Sequence, residues 1–180
     1  PFALAAAIIY AFNHAFIKSS LLMLMGVVAS RIKPKSAEFS YINGLGGKLP
    51  WIIGGLWFIG GMALAGVPPM NGFISKLAVA RSGVDDGQWI PVILAVGSGI
   101  LTLTYMFRTW QNVFQAKAKP EELRVKIKPV GDSVLAPAFL LTISLFLGLY
   151  ARPLVDIATA TVEQLNNPSI YIGVVGLFGG

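Results

Sequence analysis

The 180-residue chain contains no cysteine and few charged side chains. Without cysteine it has no disulfide framework, no thiol nucleophile and no cysteine metal site. Charged residues make up only 12% of the chain and hydrophobic residues 55%, and the mean hydropathy is +0.70. These values lie far from the composition of soluble domains. The composition therefore excludes a soluble enzyme or a nucleic-acid-binding protein and indicates an integral membrane protein.

Long apolar runs account for most of the sequence. Because about 20 apolar residues cross a bilayer, we expect an all-α membrane fold with about four transmembrane helices, one of them discontinuous, in a single membrane domain. The predicted spans are residues 2–29, 49–81 (broken at 66–72), 90–114 and 134–149, followed by a short tail, 150–180. The chain opens inside an apolar segment, so we expect it to be the C-terminal part of a longer protein.

The net charge of +6 comes mainly from two basic loops. Loop 30–49 contains four Lys or Arg residues and loop 115–133 contains five, whereas loop 82–88 contains none. Cytoplasmic loops of membrane proteins are enriched in Lys and Arg, which explains the charge better than nucleic-acid binding does. We expect both basic loops on the cytoplasmic side of a bacterial inner membrane, with the C-terminus on the outer side.

The predicted spans contain no Asp or Glu, yet three cations lie within them, Lys18, Lys76 and Arg108, apart from Arg81 at the border of the second span. Ionisable residues inside a membrane are costly and usually functional. Each cation needs a neutral state, a water-lined cavity or an acid from elsewhere. We infer that the acid partners lie in the rest of a longer chain or in another subunit. For Arg108, near the cytoplasmic end of its span, the alternative is a side chain that reaches the membrane surface.

The second predicted span is interrupted by proline and glycine. Proline removes a backbone donor and clashes with the preceding turn, and glycine loosens the chain. The predicted break residues are Gly66, Pro68, Pro69 and Gly72. Transport proteins build ion sites at such breaks. We expect Asn71 to cap the second half-helix and Lys76 to lie near the first turns of that half-helix.

The environment predicted for Lys76 suits a group that exchanges protons. Burial disfavours an ammonium ion, and so does the positive end of a helix, whereas free carbonyls near Ala65 and Gly66 act in the opposite direction. We therefore expect Lys76 to lose and regain a proton, as a relay requires.

His14 is the one histidine of the sequence, and it precedes Lys18 by four residues. The two side chains share a helix face, and imidazole titrates in the physiological range. We predict a proton relay through His14, Lys18 and Lys76, with the outward exit at Lys76. Asn13 and Arg108 are additional candidates. The alternative role for His14 is packing.

Two motifs carry a family resemblance. The first is Asn-His-Ala-Phe-Ile-Lys at 13–18, a His-x-x-x-Lys helix, and the second is Leu-Ala-Gly-Val-Pro-Pro-Met-Asn-Gly-Phe-Ile-Ser-Lys at 64–76. They resemble the antiporter-like subunits shared by respiratory complex I, membrane-bound hydrogenases and Mrp-type multisubunit sodium/proton antiporters. The resemblance covers about residues 1–150. It implies a fourteen-helix fold of two inverted repeats, with the last four helices here and a glutamate–lysine pair outside this sequence.

Lys76 and the ending Asn-Pro-Ser-Ile-Tyr-Ile at 167–172 resemble the D subunit of Mrp antiporters more than the complex I subunit, which tends to have glutamate at the lysine position. The resemblance implies a sodium/proton antiporter subunit whose partners are other membrane subunits, protons, sodium and lipid. It implies no cofactor, no metal and no catalytic site of its own. The alternatives are the homologous proton-pumping subunit of complex I or a hydrogenase, and a purely structural membrane subunit.

Overall fold

The structure, a computed structural model, describes residues 2–33, 35–117, 126–167, 169 and 172. Helices make up most of this part of the chain. They are α1 (Phe2–Ser30), α2 (Phe39–Ile42), α3 (Trp51–Ala65), α4 (Asn71–Asp85), α5 (Trp89–Trp110), α6 (Leu135–Leu149) and α7 (Arg152–Asn166). A 3-10 turn, Gly46–Lys48, precedes α3, and a π-helical stretch, Gln111–Gln115, continues α5. Two short strands, β1 (Ile32–Lys33) and β2 (Lys126–Ile127), lie in the predicted basic loops.

Two continuous helical segments are long and apolar enough to cross a membrane by themselves: Phe2–Ser30 and Trp89–Gln115. Helix α3 has only 15 residues, fewer than a bilayer requires, and the chain continues through a break into α4. Helices α6 and α7 together pass the same test but bend by 81° where they meet. The predicted all-α membrane fold is confirmed.

Helix α7 lies where the sequence suggested only a tail of mixed character. Its apolar residues Leu154, Ala158 and Val162 recur every four positions, so they form one stripe. This stripe packs on Ala5 and Ile9 near the start of α1. The chain therefore turns sharply after α6 and returns to cover the first turns of α1. Residues 173–180, and with them the predicted position of the C-terminus, lie outside the described residues.

The two predicted basic loops meet at one end of the helices. Strands β1 and β2 pair antiparallel, with Ile32 opposite Ile127 and Lys33 opposite Lys126. The N–H of Lys128 donates to the carbonyl of Arg31 at 2.7 Å, which extends the pairing. Both loops consequently lie on the same side of the bundle, as the charge pattern requires. Residues 118–125 of the second loop lie outside the described part.

Helix α1 is the centre of the packing, since α3, α4, α6 and α7 all contact it. Its middle turns contribute Ile17, Leu21 and Leu24 to a core shared with α3, α5 and α6. Small residues allow the close approach that membrane helices use. At Gly60 of α3, a Cβ would lie only 2.7 Å from a methyl group of Leu21. Helix α5 packs against α3 and α4 and leaves most of its surface exposed.

Candidate functional site

The break between α3 and α4 is built around Gly66. This residue adopts a φ of 86°, in the left-handed region that favours glycine, and ends α3. Its N–H donates to the carbonyls of Met62 (3.1 Å) and Ala63 (3.2 Å), and the N–H of Val67 donates to Met62 (3.0 Å). This is the usual glycine ending of a helix. Pro68 and Pro69 follow in an exposed turn, and α4 begins at Asn71.

Asn71 does not cap α4 through its side chain, so that expectation was wrong. Met70 occupies the capping position, and no side-chain hydrogen bond caps the helix there. The Asn71 amide is instead turned toward α1, where its Nδ2 donates to Oδ1 of Asn13 at 3.0 Å. The buried Asn13 provides a partner that a local sequence rule cannot reveal.

Gly72 also has a different role from the one expected. It lies within the first turn of α4, where it is buried against the end of α3. A Cβ at this position would overlap the carbonyl oxygen of Ala63. Gly72 therefore allows α4 to pack closely on α3 and does not loosen the chain.

The ammonium group of Lys76 folds back across the break. Its Nζ donates to the carbonyl oxygen of Ala65 at 2.7 Å, one of the carbonyls left free at the end of α3. A cation at the C-terminal end of a helix is stabilised by the helix dipole. Lys76 lies five residues beyond the start of its own helix, where the dipole of α4 has largely fallen off. The end of α3 is thus the nearer helix terminus for this charge.

A small cavity lies between α1, α3 and α4. It has a volume of about 10 Å³ and is lined by Tyr10, His14, Ser75 and Lys76 among others. This is room for roughly one water molecule, provided that polar partners surround it. His14 is half-buried here. The structure therefore brings His14 and Lys76, which are 62 positions apart in the sequence, to the wall of one water-sized cavity.

Lys76 also lines two larger cavities. One, of about 320 Å³, lies between the break, α4 and α5, and another, of about 270 Å³, lies between α1, α4 and α5. Tyr10 lines both the latter and the water-sized cavity. Lys76 therefore lines all three cavities: the water-sized one that His14 also lines and the two larger ones.

Lys18 lies one turn beyond His14, on an exposed part of α1. Both lysines are neighbours of His14: Lys18 lies four positions along the same helix, and Lys76 lines the same water-sized cavity. The ion pairs among the described residues are Arg81–Asp85 (3.8 Å) and Arg152–Asp156 (3.7 Å), both on exposed helix surfaces. Within the part of the chain that the structure describes, the two lysines thus have no acidic partner. No three His, Asp or Glu side chains of that part come together as metal ligands would.

The two additional candidates, Asn13 and Arg108, lie in different parts of the structure. Asn13 is completely buried beside Asn71. Arg108 is exposed on α5, where it lines a different cavity, of about 530 Å³, together with Trp57 and Trp110. The structure therefore groups Asn13 with the break and places Arg108 outside the His14–Lys76 site.

Sequence reasoning missed Tyr10 and Gly99. The Tyr10 ring stacks on His14, with the centroids 5.4 Å apart and the planes 17° apart. Gly99 lies on α5 against the Lys76 side chain. The four-residue spacing from Tyr10 to His14 was a usable signal. Small residues at 97–99 in an apolar helix also suggest a close helix contact, but the sequence does not say with which group.

A comparison with known families identifies the chain. Residues 2–102, more than half of the 180, match the family described as "NADH:quinone oxidoreductase/Mrp antiporter, TM". The chain belongs to this family. The region that matches the NADH:quinone oxidoreductase/Mrp antiporter family contains α1, the break, Lys76 and Gly99.

Individual relatives agree with the assignment to the NADH:quinone oxidoreductase/Mrp antiporter family. The chain is 29% identical over 170 residues to the D subunit of the Na(+)/H(+) antiporter of Alkalihalophilus pseudofirmus, covering 94% of this chain and 34% of the relative. It is 30% identical over 178 residues to the D subunit of the Na(+)/H(+) antiporter of Bacillus subtilis, covering 97% and 35%. The chain thus spans about a third of the length of these relatives.

A solved structure is similar as well. The structure of the Mrp complex from a Dietzia species matches with a TM-score of 0.78 at 25% identity, covering 96% of this chain and 39% of that chain. The resemblance to Mrp-type antiporter subunits that the two motifs predicted is confirmed.

Proposed function

We propose that this chain is part of an ion-translocating membrane subunit that exchanges sodium for protons within a multisubunit antiporter. Membership of the family and the similarity to relatives named as D subunits of Na(+)/H(+) antiporters support the proposal. The observation that carries it is the position of Lys76, which lies at a helix break and lines one water-sized cavity with His14.

The proposed proton path runs from His14 to Lys76 through that cavity. A neutral imidazole accepts a proton on one ring nitrogen and donates from the other, so His14 can both receive and pass on a proton. One water between the two side chains would carry the proton across. Lys76 would then release it into the larger cavities beside α4 and α5, which it also lines.

Lys18 is the proposed entry to this path. It shares a helix face with His14 and lies on an exposed surface of α1. A lysine on such a surface inside a membrane needs a partner. We propose that an acidic residue outside this sequence, in the remaining length of the subunit or in a neighbouring subunit, covers Lys18 and delivers protons to it.

The proposed orientation follows from the basic loops. Both lie at one end of the bundle, joined by β1 and β2. Their excess of Lys and Arg supports the cytoplasmic side of a bacterial inner membrane. Lys76 would then exchange protons with the outward side, which is the lumen of an everted vesicle, so sodium-driven efflux from that lumen runs along the same path in reverse. The proposed partners are other membrane subunits, protons, sodium and the surrounding lipid.

A redox-driven proton pump is the second candidate. The matched family also includes subunits of NADH:quinone oxidoreductase, as its description states. The same lysine and histidine would carry protons there, with the driving force supplied by electron transfer in other subunits.

Sodium-dependent proton movement tests the proposal. Everted vesicles from an antiporter-deficient bacterium that expresses the full-length protein with its partner subunits would be acidified inside. Proton efflux on sodium addition would be followed by dye dequenching. We expect sodium-triggered dequenching in the wild type and in Lys48→Ala, an exposed lysine of the first basic loop, and its loss in Lys76→Ala at matched subunit levels.

Each other outcome has a defined meaning. A sodium response that survives in Lys76→Ala would make the lysine structural and contradict the proposed path. A complex shown to be assembled that never responds to sodium, even in the wild type, would contradict the antiporter and favour the redox-driven pump.

A further inference from the structure

Three completely buried polar side chains meet at the start of α4. They are Asn13 of α1, Asn71 of α4 and Ser144 of α6. Asn71 Nδ2 donates to Asn13 Oδ1 at 3.0 Å, and Asn13 Nδ2 donates to the backbone carbonyl of Asn71 at 3.2 Å. Ser144 Oγ donates to Asn71 Oδ1 at 2.5 Å. Three helices are therefore joined at one residue of the break.

The amide orientations follow from this network. Because the Ser144 hydroxyl donates to Oδ1 of Asn71, the Nδ2 of Asn71 faces Asn13. The Oδ1 of Asn13 accepts from that nitrogen, and the Nδ2 of Asn13 donates to the backbone carbonyl of Asn71. A buried amide without partners is costly in an apolar interior, whereas a fully satisfied network favours one specific arrangement. This arrangement consequently resists sliding of α4 along α1.

The network lies beside the proposed relay. Asn13 directly precedes His14 in α1, and Asn71 begins the helix that carries Lys76. Ser75, which lines the water-sized cavity, donates through Oγ to the same Asn71 carbonyl at 3.1 Å. The two asparagines thus connect the histidine's helix to the lysine's helix next to the gap that a proton must cross.

We propose that Asn13 and Asn71 form an amide clamp that fixes α4 against α1 and so sets the separation between His14 and Lys76 across the water-sized cavity. Both asparagines are positioning residues, and Ser144 orients the Asn71 amide. An amide does not titrate, and both polar groups of Asn13 are engaged by Asn71, so Asn13 holds the relay in place and does not carry a proton. This inference rests on the proposed ion transport.

The clamp predicts a loss of turnover without a loss of sodium recognition. Asn13→Ala and Asn71→Ala should each lower the rate of sodium-driven proton efflux roughly tenfold to a hundredfold, the range expected when reacting groups shift by about 1 Å. The KM for sodium should stay unchanged. The solvent deuterium isotope effect on the rate should increase, because proton transfer then limits turnover. The double variant should be no slower than either single variant, since the two residues act as a unit.

Ser20→Ala is the matched control. Ser20 lies on the same helix as Asn13, is equally buried, and donates to the carbonyl of Pro137 in α6 at 2.9 Å. Its removal deletes one buried interhelical hydrogen bond away from the break, whereas Asn13→Ala deletes two at the break. Turnover and isotope effect in Ser20→Ala should match the wild type at equal amounts of assembled complex. Equal turnover in the asparagine variants and Ser20→Ala would overturn the clamp.

A second readout does not depend on transport. Hydrogen–deuterium exchange of the peptide covering residues 66–76 in the purified complex should increase in Asn13→Ala and not in Ser20→Ala. Unchanged exchange in Asn13→Ala would overturn the clamp even if the complex proved to be a redox-driven pump. If the asparagine variants fail to assemble, Ser144→Ala takes their place, and turnover and exchange equal to those of Ser20→Ala would overturn the proposal.

Discussion

Gly99 of α5 lies directly against the ammonium group of Lys76. A Cβ at position 99 would be 3.1 Å from Nζ and 3.2 Å from the carbonyl oxygen of Ala65 that accepts its hydrogen bond. Both distances are shorter than an ordinary van der Waals contact. The hydrogen bond from Lys76 to the end of α3 therefore requires a glycine, which has no Cβ, at position 99 of a third helix.

Gly99→Ala should accordingly move the lysine away from Ala65 and slow proton efflux roughly fivefold to tenfold, as a small displacement of a reacting group does. Gly97→Ala is the matched control, because a Cβ there meets no atom within 4 Å. Both substitutions raise the intrinsic helix propensity of α5 by about the same 0.5–1 kcal/mol, so this effect cancels. The initial rate of sodium-triggered dequenching measures the difference. Equal rates in the two variants would show that Gly99 does not position Lys76.

The close packing of α4 on α3 leads to a stability prediction. Because a methyl group at Gly72 would overlap the carbonyl of Ala63, Gly72→Ala should destabilise the subunit by about 1–3 kcal/mol, the usual cost of overpacking. Gly26→Ala in α1 places the same methyl group in open space and should be neutral or slightly stabilising.

The measurement is the temperature at which half of the detergent-purified complex loses its monodisperse elution after heating. A midpoint for Gly72→Ala equal to that of Gly26→Ala would contradict the packing at the break.

Local chemistry made part of this structure predictable. Proline and glycine act on their own backbone, so the position of the break could be read from the sequence. The spacing from His14 to Lys18 places both on one helix face by geometry alone. The presence of long membrane helices could be predicted from the apolar composition of their segments alone.

Other features depend on what packs against a residue. Asn71 could cap its helix or bind across to α1, and the choice was decided by the buried Asn13. Gly99 gains a role only when Lys76 is known to lie over it. Helix α7 carries charged residues on its outer face, which lowers its average hydropathy; the four-residue spacing of its apolar stripe is visible in the sequence, but its partner α1 is not.

That stripe can be tested by placing a charge in it. Val162 of α7 is 2% exposed and packs in the cluster with Ala5 and Ile9 of α1, whereas Leu165, three positions later, is 61% exposed. Val162→Asp should destabilise the docking of α7 by roughly 2–4 kcal/mol, since it buries an unpaired charge. Leu165→Asp should have little effect. Limited proteolysis between α6 and α7 should be faster in Val162→Asp alone, and equal cleavage in both variants would show that α7 is not held through this face.

The ring of Tyr10 borders two cavities beside the relay. It stacks on His14 and lines both the water-sized cavity and the larger cavity of about 270 Å³. Removing it in Tyr10→Ala should therefore open His14 to water and allow protons to cross without sodium. Tyr10→Phe keeps the ring and should behave as the wild type.

Two measurements check this role of Tyr10. Modification of His14 by diethylpyrocarbonate, followed by mass spectrometry, should be faster in Tyr10→Ala, and the sodium-independent proton leak of the vesicles should rise. Phe12→Ala is the control, because Phe12 forms a comparable ring pair with Phe16 on the same helix, with centroids 4.9 Å apart, but lines neither of the two cavities that Tyr10 lines. If Phe12→Ala raised the leak as much as Tyr10→Ala, the effect would come from loss of an aromatic residue in α1 in general. A leak confined to Tyr10→Ala would instead identify its ring as the wall that keeps the proton path of His14 and Lys76 closed to bulk water.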